Sequence, residues 1–90
     1  MDELRQVIAG GETLTVEFKG ESRHQLGDDD LVEAVVCLAN TRGGMILVGV
    51  EDDGAVTGAR PRHGTYIDVR RLESLIANKT TPSCPVECEV

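Results

Sequence analysis

The sequence predicts a small α/β (α+β) domain, in which two or three helices cover a small mixed β-sheet with a central hairpin. The segment 28–58 supports this prediction, because it contains a wide apolar helical stripe, a double glycine, a continuous apolar run and an Asp-Gly turn. The predicted order along the chain is helix, strand, helix, hairpin, helix and strand, which is typical of helices packed on a sheet. Ninety residues provide one modest core, so we expect residues 1–90 to form a single domain.

The first elements are a short helix and a strand. The helix is predicted over residues 2–9, where apolar side chains share one side, and a double glycine ends it. The strand is predicted over residues 14–19, because every second side chain is apolar. The side chains expected to face inward are Leu14, Val16 and Phe18. The polar segment 20–27 that follows is predicted to be a mobile loop.

A second helix is predicted to begin at Asp28. Its apolar positions recur every three or four residues and form a stripe wide enough to pack across a sheet, with Cys37 on the buried face. Three aspartates at its start offer acceptors for free N–H groups and negative charge that suits the helix dipole. Asn40 and the double glycine at 43–44 should end it, because glycine adopts the left-handed conformation common at helix C-termini.

Extended segments are predicted on the C-terminal side of this helix. The apolar run 45–50 predicts a strand covered on both faces. Asp53-Gly54 is typical of a two-residue hairpin turn, so residues 55–58 should return as a partner strand. Another amphipathic helix is predicted over residues 67–78. Residues 86–90 alternate apolar and polar, which predicts a last strand whose open edge is covered by a second copy or by a longer natural chain.

Charge limits where a polyanion can bind. The net charge is −7, from 9 bases and 16 acids, but residues 1–53 hold 12 acids and 4 bases while residues 54–90 hold 4 acids and 5 bases. Phosphate contacts are therefore expected mainly in the arginine-rich segment 54–90. The alternative is that the basic residues form only a solvated face. The candidate nucleic-acid contacts are Lys19, Arg42, Arg60, Arg62, Arg70 and Arg71. With only two aromatic residues, we expect contacts to the phosphate backbone rather than base stacking.

Three carboxylates form a candidate metal and catalytic site: Glu12, Glu17 and Asp52. Glu17 is a polar strand position, Glu12 precedes that strand, and Asp52 follows the apolar run. If the strand lies beside the hairpin, the three converge, and such a cluster suits Mg²⁺ or Mn²⁺ that activates water for phosphodiester cleavage. The alternative is that the glutamates are solvated and Asp52 supports its turn.

Other patterns give weaker predictions. The acidic turn 51–54 lacks the alternating ligands of an EF-hand, and the double glycine follows a helix and lacks the P-loop pattern. Cys84 and Cys88 have no second pair to complete a zinc site, so reduced thiols are expected. The longest apolar run is far below the about 18 residues of a membrane span, and the first residues are charged. We therefore expect a cytoplasmic protein without a membrane partner.

Two sequence blocks, GETLTVEFKG and VCLANTRGGMILVGVEDDGAVTG, carry a resemblance to a known family. Together they resemble the Schlafen/Alba-like DNA-binding domain family, also labelled a divergent AAA-type ATP-binding domain. The resemblance runs from Glu12 to Gly58 and implies a domain found near the N-terminus of bacterial and archaeal transcriptional regulators, often before helix-turn-helix segments. Some Schlafen members cut RNA with a Glu, Glu, Asp triad, which by motif would fall on Glu12, Glu17 and Asp52. No AAA-type ATPase motif is visible.

The leading hypothesis is a nucleic-acid-binding domain, DNA-directed and part of a transcriptional regulator, which requires no cofactor. One alternative is a metal-dependent endoribonuclease that uses Mg²⁺ or Mn²⁺. A second alternative is an acidic module that dimerises through its sheet edge. The expected partners are DNA or RNA, together with a second copy of the chain or a C-terminal helix-turn-helix region in a longer protein.

Overall fold

The computed structural model describes residues 2–80 and 86–89. Its elements are α1 (Asp2–Ala9), β1 (Val16–Lys19), α2 (Asp28–Ala39), β2 (Met45–Val48) and α3 (Val69–Lys79). Three helices and a small sheet in the described residues confirm the predicted α+β class. No helix within the described ranges is both long and apolar enough to cross a membrane.

The sheet consists of β1 and β2, which pair in parallel with Glu17 opposite Ile46. Parallel neighbours need a crossover connection, and α2 provides it. Alternation places Glu17 on the same face as Ile46, and Ile46 packs against the core that α2 contributes. Phe18 pairs with Leu47 on the opposite face and is buried.

The core lies between the two longer helices and one face of the sheet. Its centre is formed by Leu31 and Val35 of α2 with Ile76 of α3. Partly buried apolar side chains surround this centre: Leu26, Val32, Ile46, Val48, Leu72 and Val86. Cys37, predicted on the buried face, is instead exposed, because the buried face of α2 runs through positions 31, 34 and 35. The helix therefore buries a narrower stripe than its apolar composition predicts.

The predicted strands are shorter in the structure. The Thr13 N–H donates to the Val16 carbonyl at 2.9 Å, so the chain turns there and β1 begins only at Val16. Leu14, predicted to face inward, lies in this turn and is 78% exposed. β2 ends at Val48 and Met45 is exposed, so the prediction that the apolar run is covered on both faces is wrong.

The acidic turn closes a hairpin of a different type from the predicted one. The Gly54 N–H donates to the Glu51 carbonyl at 2.8 Å, so Asp52 and Asp53 occupy the centre of the turn. Gly54 follows with φ +88°, as in three-residue hairpin loops that end on a left-handed glycine. The predicted return strand is reduced to one antiparallel bridge between Val50 and Val56.

Glycines control the connection from α2 to β2. The Gly43 N–H donates to the Leu38 carbonyl at 2.8 Å with φ +73°, which confirms the predicted glycine at the helix end. Gly44 has φ +141°, and a Cβ there would collide with the backbone of Thr15. The absence of a side chain at Gly44 thus lets β2 approach β1.

The helix starts differ from prediction in their caps. The N-cap of α2 is Gly27, without a side-chain cap bond, so the three aspartates occupy the first turn rather than the cap position. α3 begins at Val69, two residues later than predicted, because Asp68 is its N-cap. The Asp68 carboxylate accepts the N–H groups of Arg70 and Arg71 at 3.1 and 3.2 Å.

The predicted last strand is wrong for residues 86–89, which are not extended in a sheet. Val86 packs against the helical core, and the Cys88 N–H donates to the Glu73 carboxylate of α3 at 2.7 Å. Residue 90, Cys84 and the two prolines before Val86 lie outside the described residues. The sheet edge that supported the dimerisation hypothesis is therefore not seen at residues 86–89.

Candidate nucleic-acid interface

A buried glutamate joins the loop over residues 20–27 to the loop that precedes α3. Glu21 is buried, and its carboxylate accepts the N–H groups of Leu26 at 2.6 Å and Arg60 at 2.7 Å. The loop over residues 20–27, predicted to be mobile, is therefore closed on itself and tied to the loop that precedes α3. Sequence patterns gave no indication of this role for Glu21.

Two of the candidate phosphate contacts are used to hold these loops. Arg62 has only 6% of its side chain exposed and donates to the Glu21 and Asp28 carboxylates at 3.3 and 2.8 Å and to the Leu26 carbonyl at 2.8 Å. Arg60 donates from Nε to the Glu21 carbonyl and from Nη2 to the Ser22 carbonyl. Both guanidinium groups thus have protein partners.

Lys19, the third candidate, lies among acids. Its Nζ is 3.0 Å from the Glu17 carboxylate. The hydrogen bond to Glu17 is the main cause that raises the pKa of Lys19, with smaller contributions from the charges of Glu17, Glu12 and Asp30, while burial acts in the opposite direction. The ammonium group therefore stays charged, but neighbouring carboxylates compete with any phosphate for it.

The remaining candidates are Arg42, Arg70 and Arg71, and all three are exposed. Within residues 2–80 and 86–89 their guanidinium groups have no hydrogen-bond or ion-pair partner. Arg70 and Arg71 occupy the first turn of α3, and Arg42 follows the end of α2. Of the six predicted phosphate contacts, these are the ones whose positive charge is offered to solvent.

The turn before α3 holds an exposed aromatic side chain. Tyr66 is 57% exposed, and its carbonyl accepts the N–H groups of Arg62 and His63 at 3.2 and 2.9 Å. His63 Nδ1 accepts the Asp68 N–H at 2.9 Å, which joins the turn to the N-cap of α3. The backbone that carries Tyr66 is thus fixed to the helix that carries the exposed arginines.

The three candidate metal ligands lie in two places. Glu12 accepts the Phe18 N–H at 2.9 Å, and it lines a shallow depression together with Glu17 and Cys37. Asp52 lines a different open depression, beside Lys19. Among the side chains that the structure describes, no three His, Cys, Asp or Glu residues are positioned to hold one cation.

A further carboxylate, Glu51, stabilises the hairpin. It accepts hydroxyl hydrogen bonds from Thr57 at 2.6 Å and from Ser22 at 2.9 Å. These two bonds, the Thr57 bond first, hold the pKa of Glu51 below its ordinary value. Ser22 belongs to the loop that Glu21 closes, so Glu51 links that loop to the hairpin.

The comparison with protein families places these features in context. The family described as Schlafen, AlbA_2 matches residues 12–90, which are 79 of the 90 residues. The chain belongs to the Schlafen AlbA_2 family. Neither a curated protein nor a solved structure matches it. The match extends the resemblance from Gly58 to the end of the chain, so this AlbA_2 domain includes α3, Tyr66 and the Glu21–Arg62 contact, whereas α1 precedes it.

Proposed function

We propose that this AlbA_2 domain binds nucleic acid through the phosphate backbone, and that its target is DNA in the setting of transcriptional regulation. Membership of the family supports a nucleic-acid-related role. The observation that carries the proposal is that three of the predicted phosphate contacts are exposed and have guanidinium groups without a hydrogen-bond or ion-pair partner in the described part of the chain: Arg42, Arg70 and Arg71.

Binding through arginine–phosphate contacts should be sensitive to salt. Each neutralised phosphate releases condensed counterions and contributes about −0.9 to the slope of log affinity against log salt. Three arginine–phosphate contacts would therefore lower affinity about 40-fold between about 50 and 200 mM salt. The net charge of −7 opposes non-specific adsorption elsewhere on the surface, so the exposed arginines should account for most of the binding.

Fluorescence anisotropy with a labelled DNA duplex tests this proposal. The double variant Arg70→Ala, Arg71→Ala should bind more weakly and reduce the salt slope by about 2. The matched control is Arg5→Ala, Arg23→Ala, which removes the same charge from exposed arginines on α1 and in the loop 20–27. Equal losses in the two double variants, or no binding by the wild type at low salt, would overturn the proposal.

The same preparation tests the two alternatives. Cleavage of RNA that requires Mn²⁺ or Mg²⁺ and is lost in Glu17→Gln, with the fold unchanged by circular dichroism, would replace the binding proposal with the ribonuclease hypothesis. A mass of two chains in solution, without affinity for DNA or RNA, would favour the dimerisation hypothesis. Metal-independent DNA binding by the intact chain supports the proposal against both.

A further inference from the structure

Tyr66 is the one aromatic side chain that the protein offers to solvent. The sequence contains one phenylalanine, one tyrosine and no tryptophan. Phe18 is buried at 3% exposure, whereas Tyr66 is 57% exposed. The ring of Tyr66 is therefore accessible to a ligand from solution, whereas the ring of Phe18 is not.

The position of Tyr66 is fixed through its backbone. Its carbonyl accepts two N–H groups of the turn, and His63 links that turn to the N-cap of α3. Arg62, whose N–H belongs to the same turn, forms ion pairs with Glu21 and with Asp28 at the start of α2. The ring is therefore carried on a braced turn, which limits the entropy lost when a ligand contacts it.

Positive charge without an acidic partner follows this ring closely along the chain. Arg70 and Arg71 follow Tyr66 by four and five residues, with the N-cap Asp68 between them. The Asp68 carboxylate is occupied by the backbone N–H groups of those arginines and does not pair with their guanidinium groups. One end of α3 thus presents an aromatic face and two guanidinium groups within six consecutive residues.

We propose that Tyr66, Arg70 and Arg71 form a subsite for single-stranded nucleic acid. Tyr66 stacks on one base, and the two arginines contact the phosphates beside it. The inference rests on the proposed function and narrows its ligand class. An unpaired base offers its face to an aromatic ring, whereas the bases of a duplex are already stacked on one another. A ring used in this way favours single strands over duplexes of the same sequence and is tolerant of sequence, because every base has a π-face.

Binding assays on three ligands test the subsite. The ligands are a labelled oligothymidine, an oligouridine of equal length and a DNA duplex, and the variants are Tyr66→Leu and Tyr66→Phe. Tyr66→Leu should weaken binding to both single strands by about fivefold or more and change duplex binding by less than about twofold. Tyr66→Phe keeps the ring and should bind like the wild type. A stronger effect on oligothymidine than on oligouridine would assign the subsite to DNA, and the reverse to RNA.

Intrinsic fluorescence provides a second measurement that needs no variant. The chain has one tyrosine and no tryptophan, so its emission reports on Tyr66 alone. Oligothymidine should quench this emission with the same midpoint as the binding curve. Unchanged emission at saturation, or equal losses of single-strand and duplex binding in Tyr66→Leu, would overturn the inference.

The Arg70→Ala, Arg71→Ala variant separates the two proposals. If the proposed function is wrong, either the wild type binds no ligand or this variant loses no more affinity than the Arg5→Ala, Arg23→Ala control. If only the stacking inference is wrong, the arginine variant weakens binding to all ligands, while Tyr66→Leu either weakens none or weakens single strands and duplex equally. Tyr66→Leu leaves the main-chain bonds of the turn in place, and its urea midpoint should match that of the wild type.

Discussion

The Glu21 carboxylate and the Arg62 guanidinium lie 3.3 Å apart, with 0% and 6% of their side chains exposed. A buried ion pair stabilises a fold only when its remaining donors and acceptors are also satisfied. Here they are, since Glu21 accepts two backbone N–H groups and Arg62 donates to Asp28 and to the Leu26 carbonyl. The pair connects two segments that sequence patterns describe only as polar loops.

Removal of Glu21 should destabilise the domain strongly. Glu21→Ala removes one of the two carboxylates that pair with the buried Arg62 guanidinium. Loss of one partner of a buried ion pair lowers the free energy of unfolding by about 3–5 kcal/mol. The free energy of unfolding from urea titration measures this effect. Glu3→Ala, an exposed carboxylate on α1, is the control and should change stability by less than about 0.5 kcal/mol. Similar small effects of both substitutions would show that the pair does not hold the loops.

Alanine at the two adjacent glycines should have unequal effects. Gly44→Ala forces a Cβ into the Thr15 backbone at φ +141°, so we expect a loss of at least about 3 kcal/mol in the free energy of unfolding. At Gly43 a Cβ would have open space around it, so Gly43→Ala should lower the free energy of unfolding only by the cost of holding alanine at φ +73°, about 1–2 kcal/mol. A larger loss at Gly43 than at Gly44 would contradict the close approach of the two strands.

The hairpin should weaken in acid through Glu51. Its folded pKa lies below the unfolded value near 4.5, so its contribution is fully present above about pH 4.5 and is lost as the pH falls through the folded pKa. Glu51→Gln should therefore be less stable than the wild type near pH 6, and the difference should shrink toward about pH 3. Urea titrations at several pH values measure the difference. A gap that is constant with pH would show that the Thr57 and Ser22 bonds do not favour the charged form.

The described thiols should react at different rates. Cys37 is exposed, whereas burial, aided by the charge of Glu73, raises the pKa of the half-buried Cys88. In a Cys84→Ser background, an aromatic disulfide reagent at about pH 8 should give one fast and one slow phase, because the thiolate is the nucleophile. Adding Cys37→Ser should remove the fast phase. If the slow phase disappears instead, the exposures of the two cysteines are reversed.

Local features of the chain were predicted best. The bounds of α1 and the start of α2 follow from helical periodicity, and the glycine at the end of α2 follows from its need for a left-handed conformation. Both signals lie within a few residues of the structure they determine. The family was also predicted, since its two motif blocks lie close together in the sequence.

Features that depend on distant residues were not predicted. Arg62 meets Glu21 across 41 positions, and no periodicity records such a pairing. The prediction that Arg62 contacts phosphate rests on its charge alone. In the structure the Arg62 side chain is buried, and its charge is paired with Glu21. Likewise, the count of aromatic residues argued against stacking, while the structure shows which of the two is exposed. The candidate carboxylates Glu12 and Glu17 line the same depression, whereas Asp52 lines a different one. The position of Asp52 depends on the geometry of the hairpin, which the Asp-Gly pair alone does not determine.

The parallel pairing of β1 with β2 has a consequence for how the domain opens. Residue 17 lies opposite residue 46, and the whole of α2 is contained in the intervening chain. The two strands should separate when the crossover helix melts, because Ile46 and Val48 of β2 would then lose the apolar core to which α2 contributes Leu31 and Val35. Amide protons of these three elements should therefore become accessible to solvent deuterium in one concerted event.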